Sequence, residues 1–422
     1  MAESHAPLPW EHEGMRVESG RLLVAGRDAE ALAREHGTPL YVFDLRRIGE
    51  QAGALREALS RAGLIPRVRL AMKALRDEPV LRYLRGLAAP PALGPGAPGG
   101  PAAIGLDACS PGEVEAALAC GFRPEEISYT GTNVSERDLD VLAPLGVHLN
   151  VDLISQIERV GRRCPGRAVG LRINPRAGVM RGHAQSLYAG DKPTKFGIYE
   201  EDLDRAVAAA ERHDLRIDTA HFHLANGMLD DELPAFDEAL AAAARLVHQM
   251  IAAGCPLEEV NVGGGLGTPL HEGERPLDLD AYAGLLARHF GDLGVAIGAE
   301  PGEFLTNEAG MLLAEVVTVE DRGGTPFVGL DCGWNVLNDH RIYGREPEFV
   351  LPARADAPPT RSVTVAGHIN EGDDVFGEGV RLPEVAEGEI VAMVSVGGYC
   401  HSMWTDHCGR PHAGAVFFAD RA

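Results

Sequence analysis

From about residue 67 to residue 300, short apolar runs alternate with longer amphipathic stretches. The runs are VRLAMK (68–73), AIGLDA (103–108), ISYT (127–130), VHLNV (147–151), AVGLRI (168–173), TAHFH (219–223), VNVG (260–263) and AIGAE (296–300). Each has the length and composition of a strand. The stretches between them, such as PGEVEAALACGF and ELPAFDEALAAAARLVHQMIAAG, carry helical periodicity. Eight strands alternating with helices predict an α/β fold of the (β/α)8 TIM-barrel type, with an open doubly wound sheet as the competing arrangement. After residue 310 the texture changes to β-rich runs separated by turn residues: LLAEVVTVED, PFVGLD, SVTVAG, EIVAMVSV and AGAVFFA. These predict an all-β C-terminal domain. The boundaries drawn on this pattern are 40–308 for the barrel, and 1–39 with 309–422 for the β-rich domain. The strand-like start of RLLVAGRDAEALAREHGTPLYVFD is free to pair with the latter.

A length of 422 residues suits two domains, and apolar residues at 45% allow each a core. The net charge of −23 argues against nucleic acid or an anionic membrane as a partner. No run of 18 apolar residues is present, so no membrane span is expected. The first residues, MAESHAPLPWEHEGM, lack the basic and apolar regions of a signal peptide, and the expected location is the cytoplasm. Seven Cys without a CxxC pair read as free thiols, with no metal site expected. One segment, AAPPALGPGAPGGPAA (88–103), is too rich in Pro and Gly to pack, and reads as a loop on the barrel face away from the chemistry.

A TIM barrel keeps its chemistry at the C-terminal ends of its strands. Lys73 closes the first strand. A lysine there is either an amine partly desolvated at the barrel mouth or a snorkelling surface residue. The seventh strand runs into GGGLG (263–267), where amides can approach an anion and a following helix start would add positive potential. Glu300 ends the eighth strand. His221 and His223 end the sixth, both on one face. Each alone could be a satisfied core group, but together they mark a candidate site.

LAMKAL resembles the cofactor-lysine motif of the fold-type III pyridoxal-phosphate decarboxylases, the diaminopimelate and ornithine decarboxylase family. Further stretches keep that family's order: TPLYVFD, LDACSPGEVEAAL, LRINP, TKFGI, HFHLAN, VNVGGGLG, EPG, GLDCGWN, GHINEGDDVFGE and GGY. The resemblance covers roughly 36 to 410 and implies a barrel followed by a β domain. It implies pyridoxal 5'-phosphate as cofactor, held as a Schiff base on Lys73. His223 would stack on the ring and Arg172 would support it. Gly263, Gly264 and Gly265 would cradle the phosphate with Tyr399. Glu300 would pair with the pyridine nitrogen, which favours decarboxylation over racemisation. It further implies a homodimer whose sites are completed across the interface by GHINEGDDVF, bringing Glu371 and Asp374 to the substrate alongside Tyr343.

The chain departs from the family pattern in four places. EPGR reads EPGE, so Glu303 replaces an arginine. Asp339 stands where diaminopimelate decarboxylases have a substrate-binding arginine, with Arg341 two positions along. Ala225 and Asn226 stand for Gly and Ser. Asn370 takes the position of the catalytic cysteine, with Cys400 and Cys408 nearby but out of register. The first two changes remove cations that would bind a distal carboxylate. With Glu303, Asp339, Glu371 and Asp374 at the substrate end, the expected substrate is an amino acid or conjugate with a cationic or polar side chain. Three functions stay open: a decarboxylase, an epimerase or oxidative variant prompted by Asn370, and a non-catalytic cofactor-binding protein.

Overall fold

A computed structural model describes residues 8–87, 103–181 and 193–422. Residues 88–102 of the low-complexity segment lie outside the described residues. The chain divides into two compact units: Gln51–Gly267 with Leu277–Gly302, and Met1–Glu50 with Thr268–Pro276 and Glu303–Ala422.

The first unit is a closed barrel of eight parallel strands in sequential order. They are β1 (Ile65–Ala71), β2 (Gly105–Ala108), β3 (Ile127–Thr130), β4 (His148–Val151), β5 (Ala168–Arg172), β6 (Arg216–His221), β7 (Glu259–Asn261) and β8 (Ala296–Ala299). The closed order excludes the open sheet. Helices follow where caps start them. Ser110 Oγ accepts the Glu113 N–H at 3.2 Å to open Pro111–Ala119, and Asp278 does the same for Leu279–Phe290. The barrel interior carries charge as well as aliphatic side chains. Glu259 lies across from Arg69 (2.6 Å) and Arg67 (2.7 Å). Gly298 on β8 makes room for them, because a Cβ there would come within 2.2 Å of the Glu259 carboxylate.

The second unit is built on one sheet in the order Glu348–Val350, Ile390–Val394, Gly310–Arg322, Thr325–Leu330, Arg361–Ala366, Val375–Leu382. Leu40–Asp44, buried along its length, pairs antiparallel with Gly310–Arg322 and parallel with Gly414–Phe418. That strand therefore belongs to the β unit, not to the barrel range of 40–308. The reason is its pairing: both of its neighbours, Gly310–Arg322 and Gly414–Phe418, are strands of the β unit. Trp10, Leu22, Val24, Val42, Leu313 and Val394 pack in this unit's core.

Candidate active site

Glu300, one residue past β8, is 6% exposed and is held from three sides. His221 Nε2 lies 2.9 Å from Oε2, while Asn261 Nδ2 (2.6 Å) and Ser128 Oγ (3.1 Å) donate to Oε1. Asn150 extends the chain by donating to Ser128 Oγ at 2.9 Å. Burial opposes ionisation of Glu300, but His221, Arg69 and Asn261 outweigh it and hold the carboxyl well below its usual range. His221 Nδ1 is buried with no partner among the described residues. A bare nitrogen there costs less than an orphaned N–H, so His221 is a neutral imidazole donating through Nε2; burial lowers its pKa in the same sense.

His223 lies two residues beyond β6 and accepts the Gly264 N–H on Nδ1 at 3.2 Å. Burial and the nearby Lys73 and Arg172 push its pKa well down, so it is neutral. Arg172 closes β5, buried, with its guanidinium 4.4 Å over the Phe196 ring. Lys73 falls two residues past the end of β1, in a turn, and is exposed. The desolvation expected for a strand-end lysine is therefore not supplied by the chain alone, because β1 ends at Ala71 and Lys73 lies in the turn that follows. Its charge acts on Asp107, Cys109 and His223.

The glycine loop differs from expectation in two respects. No helix starts directly after it; the next begins at Leu279. Three of its amides are bonded within the barrel unit, Gly263 N–H to Asn261 Oδ1 (3.0 Å), Gly264 N–H to His223 Nδ1 and Gly267 N–H to the Met228 carbonyl (2.8 Å). The glycines first of all permit close packing. A Cβ on Gly264 would sit 2.3 Å from the Glu300 carbonyl oxygen, and one on Gly265, at φ +90°, would sit 1.9 Å from that of Ala225. Asn261 thus ties the loop to Glu300.

The other predicted residues lie in the β unit. Tyr343 and Tyr399 meet edge to face at 5.7 Å. Asp339 is buried, and burial pushes its carboxyl up to about 7, with Arg345 opposing and Glu303 assisting. Glu303 is ion-paired to Arg345, whose Nη2 also donates to Thr268 Oγ1 at 3.1 Å. Arg341 stacks over Trp334 at 4.3 Å and pairs with Asp373. Asn370 and Glu371 are exposed, and Glu371 lies 3.2 Å from His407 Nε2. Asp374 departs from its expected role facing substrate. It is 4% exposed and accepts the amides of Trp334 (2.8 Å) and Ile369 (2.6 Å). Its carboxylate joins the two loops that carry these amides.

Residues 45–307 match the family model described as pyridoxal-dependent decarboxylase, pyridoxal binding domain. The chain belongs to the pyridoxal-dependent decarboxylases. The diaminopimelate decarboxylase of Methanothermobacter thermautotrophicus is 33% identical over 409 residues, 94% of this chain and 91% of the relative. That of Escherichia coli K12 is 31% identical over 410 residues, 92% and 90%. Among solved structures, diaminopimelate decarboxylase from Helicobacter pylori complexed with L-lysine superposes with a TM-score of 0.81 at 26% identity, covering 93% of this chain and 94% of that one. This pyridoxal-dependent decarboxylase is accordingly a pyridoxal-phosphate enzyme that decarboxylates an amino acid. Among the described residues no helix is long and apolar enough to cross a membrane.

The sequence pattern did not single out Asp107, Asn261, Ser128, Arg69 or Arg345. A polar residue inside an otherwise apolar strand was the available signal for the first four. For Arg345 none was, since it lies on a loop.

Proposed function

We propose that the chain decarboxylates an α-amino acid with a polar or cationic side-chain terminus, acting as a homodimer in which a partner's loop completes each site. The observation that carries this reading is the buried, ionised Glu300. Pyridoxal phosphate, when bound, supplies an electron sink for the electron pair that stays behind when CO2 leaves. Lys73 would carry it. Glu300, fixed by His221, Asn261 and Ser128, would hold a proton on the ring nitrogen, and a carboxylate already desolvated and ionised does so without reorganising. Neutral His223 offers an uncharged planar face, and Arg172 would support the ring. With Gly263 and Gly264 bonded inward, Gly265 would carry more of the phosphate contact.

At the substrate end, the charge balance supports the specificity. Glu303 and Asp339 flank a single cation, Arg345, and that cation is already paired. A cluster of two carboxyl groups and one guanidinium has no charge to spare for a distal carboxylate. The relatives named above are diaminopimelate decarboxylases; this cluster favours a lysine- or ornithine-like substrate for this chain instead. The exposed Asn370–Glu371 turn suits a loop offered to a second copy.

Two measurements test the reading. Borohydride should fix the cofactor covalently on Lys73, and Lys73→Ala should abolish that adduct; trapping on another lysine would reassign the site. In a screen for CO2 release, lysine or ornithine should turn over faster than meso-diaminopimelate. The reverse order would remove the specificity argument.

A further inference from the structure

We propose that Cys109 is the group that delivers a proton to the substrate carbon that loses CO2, a task for which Asn370 has no proton to give. The placement follows from register. In the barrel β1 and β2 run parallel with Arg69 opposite Gly105 and Ala71 opposite Asp107. The Met72 N–H donates to the Asp107 carbonyl at 2.9 Å, so the pairing persists to the strand ends. Ala71 and Asp107 are the last register pair of β1 and β2. Lys73 and Cys109 each follow that pair by two residues, just past the strand ends at the barrel mouth. Lys73's charge acts on both Asp107 and Cys109.

A second observation marks the place as a site. Asp107, one pair below, is 6% exposed, and its Oδ1 has no hydrogen-bond partner among the described residues. Burial and Glu300 raise its pKa well above the usual carboxylate range, with Lys73 opposing. A buried polar atom left open beneath an exposed lysine and an exposed cysteine is suited to meeting a ligand.

The thiol is held and loaded. Cys109 Sγ donates to Glu113 Oε2 at 3.3 Å, and the same oxygen accepts the Cys109 N–H at 2.8 Å. Glu113 is itself fixed by the Ser110 cap at the start of Pro111–Ala119. Burial and the Glu113 carboxylate push the thiol up to about 12 against the pull of Lys73, so it keeps its proton at neutral pH. The competing donors are weaker. His223 is neutral, with Nδ1 already accepting. Cys332 and Cys400 are buried.

The step balances. The C–C bond to the carboxylate breaks and CO2 departs, leaving its bonding pair on carbon. That pair takes the Cys109 proton: the S–H bond breaks and a C–H bond forms. The thiolate regains a proton from water, which reaches it because Cys109 is exposed. No oxidant or reductant is required.

The proposal rests on Lys73 as the cofactor-bearing lysine, and the test separates the two. Maleimide labelling of the intact protein at about pH 9, where enough thiolate forms to react, followed by peptide mass spectrometry, should be about tenfold slower at Cys109 with cofactor bound than without. Exposed Cys408 serves as the internal reference. Cys109→Ala should lower kcat about 100-fold, within the range for general acids, while borohydride still traps cofactor on Lys73. Cys109→Ser should restore part of that kcat if position and not bulk matters. Equal labelling with and without cofactor would overturn the proposal. So would an unchanged kcat in Cys109→Ala with trapping intact. Lost trapping in the parent enzyme would overturn the reading of Lys73, and this proposal with it.

Discussion

Replacing Glu259 by Gln should destabilise the barrel by an amount that depends on pH. Glu259 is 3% exposed and sits between Arg69 and Arg67. Burial alone would raise its pKa, yet the two guanidiniums lower it from 4.5 to about 2. A shift of that size is worth about 3 kcal/mol of preference for the ionised form. Gln matches the neutral acid in shape, so Glu259→Gln should cost about 3 kcal/mol at pH 7. Because the folded pKa is the depressed one, the contribution is complete above about pH 4.5 and fades as pH falls toward 2. By pH 3.5 the cost should shrink to about 2 kcal/mol. Urea unfolding followed by far-UV circular dichroism is the suitable assay. Tryptophan fluorescence is not, since Trp10, Trp334 and Trp404, the chain's three tryptophans, all lie in the β unit. A loss under about 1 kcal/mol at pH 7, or an equal loss at both pH values, would refute the argument.

Three further outcomes are expected. Asp374→Ala should cost about 2 kcal/mol by orphaning the Trp334 and Ile369 amides, and should change tryptophan fluorescence; a variant with unaltered unfolding midpoint would contradict the structural role. Mixing inactive Lys73→Ala with inactive Glu371→Ala should restore part of the activity if sites are shared across a two-fold, whereas proven subunit exchange without recovery speaks against sharing. Pairing Glu303→Arg with Asp339→Arg should raise meso-diaminopimelate turnover relative to lysine at least tenfold; steady-state kinetics on both substrates reads this, and an unmoved ratio would separate these positions from specificity.

The eight barrel strands were legible in the chain because each is a short apolar run bounded by helix-forming segments, a property of local composition. All eight lie within a few residues of the positions read from the pattern. The placement of Lys73, Glu300, His223 and the glycine loop just past strand ends was legible as well, since polar residues and glycines there interrupt that composition. The strand Leu40–Asp44 was not assignable to the β unit from its residues, because an apolar strand does not name its partner. Nor was the fate of each charge. Glu303 and Asp374 read as free carboxylates until the fold set Arg345 against the first and two backbone amides against the second. That Lys73 and Cys109 both follow the Ala71–Asp107 pair is visible only through the register of β1 and β2. Local sequence determines which elements form and which side chains are chemically able; partners distant along the chain determine which of those groups are already neutralised, and so which remain to act.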